Sequence, residues 1–371
     1  MKPVPFLTPR LPDPSLIAQD YAEIWAAGIF TNSGPFEQRF ATGLARWIGN
    51  DVAVAVTANA TVGIQLACKA LFRSDRRYVL VASFTAPAGP LAVGWSGYEP
   101  VLIDIERETW QPSVEMAERF LAREGDNVAG ILLTNTFGTA NPSIDQWEDL
   151  AHRFGVALVI DSAPGFASRY PWGESLGARG DCEIFSFHAT KTLAIGEGGA
   201  VAARDHGVIE RINRLKNFGF DDDRWSRAAG LNAKLPELGS AMGLRQLEVL
   251  AERLAQRQEV LRCYVTNLEP LGCGFQPGAA LAAPPFLSVA LPSRGQRDAL
   301  GCALNDADIG WRAYYNPPVH RQPSFAGVRT AGDLNVTEDI SGRIISLPLD
   351  ERLSLGEVTR IAGVIGQVVD G

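Results

Sequence analysis

Short apolar runs recur through the first two thirds of the chain, separated by stretches in which apolar residues fall three or four positions apart. The runs at 52–56, 78–82, 100–105, 130–134, 156–160, 183–187 and 200–203 are rich in Val, Ile and Leu on consecutive positions. Consecutive rather than alternating apolar residues suit strands buried on both faces, as in a parallel sheet covered by helices. The intervening segment 143–154 shows the complementary pattern. Ile144, Trp147, Leu150 and Ala151 lie on one helical face, and Gly155 follows as a stop signal. Strands alternating with helices predict an α/β layer architecture, in which ligands bind on the loops beyond the carboxyl ends of the strands. That rule directs attention to 57–61, 83–87, 161–166 and 188–191.

The pattern changes after residue 203. Segments 208–218 and 239–266 read as helices, the second long, with Leu247, Leu250, Leu254 and Leu261 near one face. Residues 268–285 are rich in Gly, Ala and Pro and read as a connection. A further apolar strand at 286–291 and a terminal helix from Leu355 follow. These features predict a large domain over 1–250, with its N-terminal residues packing at the mouth of the ligand site, and a smaller α+β domain over 251–371.

Composition narrows the function classes. Of 371 residues, 46% are hydrophobic and 20% charged, as in an ordinary soluble globular protein, and the net charge is −8. Lys and Arg are scattered, so no nucleic-acid partner is expected. No apolar run approaches the roughly 18 residues of a membrane span, and Met1-Lys2-Pro3-Val4-Pro5 lacks the apolar stretch of a signal peptide. Five cysteines without a CxxC pair suit a reduced protein, and the expectation is a cytoplasmic one. No two of the four histidines stand at metal-ligand spacing, so no metal is expected.

The most informative segment is Phe185-Ser186-Phe187-His188-Ala189-Thr190-Lys191, followed by Gly196-Glu197-Gly198-Gly199. A lysine at the end of a buried strand either snorkels to solvent or is an amine whose lowered pKa makes it a nucleophile toward an aldehyde. The flanking hydroxyls and glycines favour the second reading. Asp161 ends another apolar run; it either caps the next helix or partners a ligand cation. Thr57-Ala58-Asn59-Ala60-Thr61-Val62-Gly63 joins a strand to a helix-like segment. It is either an ordinary helix cap or an anion site at a helix start, and it is not a P-loop, because no Gly-Lys-Ser/Thr follows. Tyr314, Tyr315 and His320 lie in a Pro-rich stretch and either pack a loop or offer aromatic faces to a sugar or nucleobase.

Together these residues resemble the DegT/DnrJ/EryC1/StrS sugar aminotransferases, which are fold-type I pyridoxal-phosphate enzymes of the aspartate-aminotransferase kind. The resemblance runs from Phe30-Thr31-Asn32-Ser33-Gly34-Pro35 through Asn59-Ala60-Thr61, Ser83-Phe84-Thr85, Asp161-Ser162-Ala163 and the lysine segment. It continues through Gly230-Leu231-Asn232, Tyr314-Tyr315 with His320, and Leu347-Pro348-Leu349. It implies a large domain with a mostly parallel seven-stranded sheet and a smaller C-terminal domain.

The resemblance also implies roles. Lys191 would carry pyridoxal 5′-phosphate as a Schiff base and shuttle the proton, while Asp161 pairs with the pyridinium. Ala60, Thr61 and Ser186 would hold the phosphate, with Ala86, Ala163 and His188 lining the cofactor. Asn232 would reach the phosphate of the neighbouring subunit, implying a homodimer with shared active sites. Asn32, Tyr314, Tyr315 and His320 would contact substrate. Family members move an amino group from L-glutamate to a keto group on a nucleotide-linked sugar, and Asp161-Ser162-Ala163 with Gly165-Phe166 resembles the viosamine-type 4-aminotransferases acting on dTDP-4-keto-6-deoxyglucose. Relatives with His in place of the lysine are dehydratases, and Lys191 opposes that reading.

Other acceptors, a 3-keto sugar or a cyclitol ketone, and a non-catalytic cofactor-binding regulator are the alternatives. The chain departs from the family pattern at four places. Pro164 replaces a Gln, Ala86 an aromatic that stacks on the cofactor ring, and Ala233-Lys234 the usual Tyr-Arg.

Overall fold

The computed structural model describes residues 2–49 and 51–369. Its strands are β1 (Ala53–Thr57), β2 (Tyr78–Ala82), β3 (Glu99–Ile103), β4 (Val128–Thr134), β5 (Ala157–Asp161), β6 (Cys182–Ser186), β7 (Gly199–Ala203), β8 (Gly274–Phe275), β9 (Phe286–Ala290), β10 (Arg329–Thr330) and β11 (Ile344–Pro348). The helices of the first half are α1 (Pro14–Ala27), α2 (Pro35–Ile48), α3 (Ala60–Leu71), α4 (Ala88–Trp95), α5 (Val114–Glu124) and α6 (Ile144–Phe154). Those of the second half are α7 (His206–Leu215), α8 (Glu237–Leu268), α9 (Arg294–Asp306), α10 (Asn335–Arg343) and α11 (Leu355–Val369).

All seven expected strands form, each within two residues of its predicted bounds at either end, and they lie in one sheet of order β1-β7-β6-β5-β4-β2-β3-β10. Its strands run parallel except β7, which is antiparallel to both neighbours. The eighth strand, β10, is an addition. Two exposed residues from the last third of the chain pair with β3, too short a run to leave an apolar signature. The chain is thus α/β with a mostly parallel large sheet. A second, antiparallel sheet has the order β11-β9-β8. Within 268–285 lie two short 3-10 turns and the two-residue β8. Among the described residues no helix is long and apolar enough to cross a membrane.

Residues alternate between faces along each strand, and the two faces of the large sheet meet different helices. Leu158 and Ile160 of β5 join a core with Phe40, Phe120, Trp147 and Leu250, from α2, α5, α6 and α8. Val159 joins the opposite core with Ile64, Ala92 and Ile212, from α3, α4 and α7. Helix α8 is long enough to serve two cores. Leu250 packs beneath the large sheet, while Leu261, Tyr264 and Leu268 pack with α9, α11 and the small sheet.

A buried polar chain locks α2 against α8 and β1. The Glu237 carboxylate accepts the Phe36 and Glu37 amides, both at 2.8 Å, and so caps α2 from 200 residues away in sequence. Glu37 in turn accepts Lys216 Nζ at 2.7 Å, and that ammonium also donates to the Val56 carbonyl at 3.1 Å. Both side chains of the pair are about 96% buried. Removing one partner from such a pair strands a charge and typically costs about 3–5 kcal/mol. Lys216→Met is therefore expected to lower unfolding free energy by about 3 kcal/mol in urea titration. A loss below about 1 kcal/mol would show that the pair contributes little.

Candidate active site

The sheet register gathers the candidate residues at one edge. Asp161 pairs across to Thr134 on one side and Ile184 on the other, so β4, β5 and β6 end together. Asp161 follows Ala157 and Val159 on one face, and Ser186 follows Cys182 and Ile184 on the same face. Because β7 is antiparallel to both β6 and β1, β1 runs in the same direction as β6. Helix α3 therefore begins at that edge too.

Gly199 makes the close approach there. It pairs with Thr57 on one side and Ser186 on the other, and a Cβ would lie 2.5 Å from the Asn59 carbonyl carbon and 2.6 Å from the Ala60 nitrogen. Only a residue without a side chain lets the first turn of α3 settle against β7.

A cleft of about 600 Å3 opens over this edge. Asp161, Ala163, Ser186, His188, Lys191, Ala60, Thr61 and Ala86 all line it. The structure thus brings together eight of the residues singled out from sequence. Asn59, Val62, Gln65, Ala88, Thr190 and Glu197 also line it and were not singled out as contacts. Gln65 could have been found as the residue one helical turn after Thr61.

Burial governs the electrostatics. Asp161 is 7% exposed and accepts the Ala163 amide at 3.0 Å. Loss of solvent pushes its carboxyl above the ordinary range, against the pull of that amide and of the Lys191 charge. Desolvation draws the Lys191 ammonium below its ordinary value, opposed by Asp161. A lysine so placed gives up its proton more readily and becomes a better nucleophile. His188 is held by its own loop, with Nδ1 2.9 Å from Thr190 Oγ1 and Nε2 3.7 Å from Glu197.

Pyridoxal phosphate needs a lysine, an anion partner for its ring nitrogen and a seat for its phosphate, and the cleft fits each requirement. Lys191 and Asp161 supply the first two. The first amides of α3 have no acceptor within the helix, Asn59 Oδ1 taking only the Val62 amide at 2.9 Å, and the Thr61 and Ser186 hydroxyls stand beside them.

Five sequence candidates lie elsewhere within the single chain. Asn32, at φ 68°, lines a separate groove of about 520 Å3 with Asn213, Arg214, Asn217 and Arg224. Tyr314 and Tyr315 sit in an aromatic cluster, Tyr315 stacked on Phe137 at 5.2 Å and edge-on to Phe84. Tyr315 nevertheless lies close enough to Asp161 for that charge to help raise its phenol. His320 Nε2 is 2.7 Å from Glu338. Asn232 bridges to Asn217 through the backbone, outside the Lys191 cleft. Pro164 is packed against Gly138, not in the cleft.

Behind the strands that present Asp161 and Ser186 lies a polar network that periodicity did not reveal. Glu183 is fully buried on the opposite face of β6. It accepts Ser162 Oγ, the Gly177 amide and, at 3.2 Å, Asn135 Nδ2. Asn135 also donates to Ser162 Oγ at 2.7 Å, and its amide donates to the Asp161 carbonyl at 3.0 Å. The network thus braces the backbone on either side of Asp161.

Comparison with known proteins agrees with this geometry. Residues 14–366 match the sequence model of the DegT/DnrJ/EryC1/StrS aminotransferase family. The chain is 43% identical over 367 residues to Protein Rv3402c of Mycobacterium tuberculosis (strain ATCC 25618 / H37Rv), covering 98% of this chain and 89% of the relative. It is 26% identical over 373 residues to the dTDP-4-amino-4,6-dideoxy-D-glucose transaminase of Shigella dysenteriae, covering 99% of each. A crystal structure assigned as a PLP-dependent aminotransferase from Bacillus cereus ATCC 10987 superposes with a TM-score of 0.93 at 31% identity. It covers 99% of this chain and 100% of that one.

Glu183 generates a pH prediction. Burial, with a smaller push from the Glu174 charge, raises its carboxyl to about 7, against the three donors that favour the anion. The folded state then binds a proton more tightly at this group than the unfolded state does, so the contribution of Glu183 to stability is fully present below the unfolded carboxyl range and is lost as pH rises through about 7. The contribution is roughly 3 kcal/mol across that window. Glu183→Gln should flatten the fall between about pH 4.5 and 7 while lowering stability overall, since a donor at Gly177 loses its acceptor. Denaturant titrations across that range with parallel slopes for both proteins would contradict the assignment.

Proposed function

Because the chain belongs to the DegT/DnrJ/EryC1/StrS aminotransferase family and is a PLP-dependent transaminase, we propose that it moves an amino group from L-glutamate to the keto group of a nucleotide-linked deoxysugar, of the dTDP-4-keto-6-deoxyhexose type. The observation that carries this reading is the meeting of Lys191 and Asp161 in one cleft facing the start of α3. The transaminase from Shigella dysenteriae supports the sugar class, since it matches over nearly the full length of both chains.

When bound, pyridoxal phosphate supplies an aldehyde that takes the amino group and a ring that accepts electrons from the reacting carbon. The side chains divide the remaining work. Asp161 holds a proton at the pyridine nitrogen, stabilised by roughly 1–3 pKa units by a carboxylate within about 4–6 Å. The Ala60 and Thr61 amides, with the Thr61 and Ser186 hydroxyls, bind the phosphate at the positive end of α3. Lys191 Nζ removes a proton from the amine-bearing carbon of the donor and delivers one to the sugar carbon that receives nitrogen.

Two copies would complete the site. Asn232 and Asn32 stand outside the Lys191 cleft of their own chain, and Trp25, Phe30 and Trp225 are large apolar side chains left 46–67% exposed. Exposed aromatics on this scale suit burial against a second copy, with Asn232 of one chain serving the phosphate of the other.

The direct test uses purified protein with cofactor. Borohydride should fix cofactor to Lys191, located by peptide mass spectrometry, and Lys191→Ala should abolish that adduct. Retention of reduced cofactor on the Ala variant would refute the role of the lysine. Asp161→Asn should lower kcat/KM by about 10- to 1000-fold if rate follows ring protonation. Formation of 2-oxoglutarate from glutamate with a dTDP-4-keto-6-deoxyhexose supports the substrate class, whereas turnover only with a free cyclic ketone rejects it. Asn232→Ala should lose cofactor faster on dialysis with an unchanged sedimentation mass. Equal retention would remove Asn232 from the phosphate site.

A further inference from the structure

Past the ends of β5 and β6 the sheet no longer fixes the distance between the two loops that lead out of it. One, after β5, follows Asp161, and the other, after β6, carries Lys191. The Gly-, Ala- and Pro-rich connection at 268–285 runs against both. The Arg169 amide donates to the Leu281 carbonyl at 3.0 Å, and the Ala283 amide donates to Ser168 Oγ at 2.9 Å. The Ala283 carbonyl accepts Thr192 Oγ1 at 2.7 Å, and the Pro284 carbonyl accepts Arg257 Nη2 at 2.6 Å. Ala283 therefore holds the Asp161 loop by its N–H and the Lys191 loop by its C=O.

Both bonds are costly to lose. Ser168 is fully buried and Ala283 nearly so, and a buried polar group deprived of its partner has no water to replace it. Pro284 and Pro285 stiffen the spacer further, since their own φ is fixed and the residue before a proline is kept out of the helical region. Each bond also leads by short steps to a reacting side chain. Thr192 is the neighbour of Lys191, whose amide donates to the His188 carbonyl at 2.9 Å. On the other side the Ser168 amide donates to the Gly165 carbonyl at 3.0 Å, and the Gly165 amide to the carbonyl of Ser162, beside Asp161, at 2.7 Å. Ser168, Thr192 and Ala283 do not line the cleft themselves.

We propose that Ala283 is a clasp that sets the separation of Lys191 from Asp161, and that Thr192 and Ser168 are positioning residues acting through it. This rests on the roles given to Lys191 and Asp161 under the proposed function. A cofactor gripped by Asp161 at its ring nitrogen and by Lys191 at its aldehyde carbon spans that separation. A misplacement of about 1 Å in such a geometry costs on the order of 100-fold in rate. Removing one hydroxyl loosens the clasp while the sheet still holds the strand ends, so a smaller loss is expected.

Hydrogen exchange of the cofactor-loaded protein, followed by mass spectrometry, reads the clasp without turnover. Ser168→Ala alters the Asp161 loop, yet it should speed exchange about fivefold in a peptide covering 187–196, where the Ala189, Lys191 and Ile195 amides are hydrogen-bonded. Thr192→Val should likewise speed exchange in a peptide covering 162–168. Were each hydroxyl to serve only its own loop, the opposite loop would exchange as before, and that result overturns the proposal. In a single turnover with glutamate, Thr192→Val should slow the loss of the cofactor's visible band by about 10-fold and raise the isotope effect of α-deuterated glutamate. Thr192→Ser, which keeps the hydroxyl, should restore both to within about twofold of the unaltered protein. An unchanged rate in Thr192→Val also overturns the clasp. Should Ser168→Ala fail to fold, the two Thr192 variants carry both readouts. A protein that does not react with glutamate at all refutes the proposed amino donor, while the exchange measurements still decide the clasp.

Discussion

Asp161 ends a strand whose other residues are apolar or pack into the sheet's two cores, and the cation that acts on its charge is Lys191. Holding a carboxylate at 7% exposure with one amide donor is unfavourable by several kcal/mol before any ligand arrives. The surrounding structure has to enforce the placement. It does so through strand register, since β5 is clamped between β4 and β6 and cannot slip by one residue without turning Asp161 to the opposite core. The same register places Ser186 on the same face, and the antiparallel β7 brings Gly199 between Ser186 and Thr57. The cleft is a consequence of that alignment, with the unfavourable carboxylate as the part that a cationic ring would relieve.

The lysine segment is fastened independently of the strands. Gln246 of α8 donates to the Ala194 carbonyl and to the Arg10 carbonyl, each at 2.6 Å, and accepts from Arg253. One side chain therefore ties the loop after Lys191, the N-terminal arm and Arg253 together. Since α8 also packs into one core of the large sheet and into the core of the small sheet, displacement of that helix would be felt at the Lys191 segment.

The sheet was legible because consecutive apolar residues on seven short runs are hard to satisfy other than by burial on both faces. β10 was not, because two exposed residues carry no pattern. In the cleft, Lys191 and Asp161 stood out as charges at the ends of apolar strands, and Ala60 and Thr61 as a strand-to-helix junction. Glu183 escaped notice although it is a charge within a strand. In Cys182-Glu183-Ile184-Phe185 a single acidic residue near the strand start resembles a solvent-facing edge, and only the fold shows Ser162, Gly177 and Asn135 around it. Tyr314, Tyr315, His320 and Asn32 carried the chemistry of contacts without the information about distance. A side chain's type says what it can bind, while its place relative to the cleft depends on contacts made far along the chain, or on a second copy.

Ala86 changes how a cofactor would be gripped. The cleft around the expected ring position is lined by Ala86, Ala88 and Ala163, and His188 is its one aromatic side chain among the described residues. An aromatic stacked on the ring is worth about 0.5–1.5 kcal/mol beyond its buried area. A single hydrogen bond to a charged group contributes about 1.5–3 kcal/mol. On the proposed assignment the phosphate seat would offer several of these, Asp161 another, and Lys191 a covalent bond. Replacing the stacking ring by a methyl group therefore removes the smaller part of the binding and leaves the cofactor held at its ends. It also leaves space above the ring face beside α4, where a substrate or a residue of a second copy can approach more closely than an indole or phenyl ring would allow.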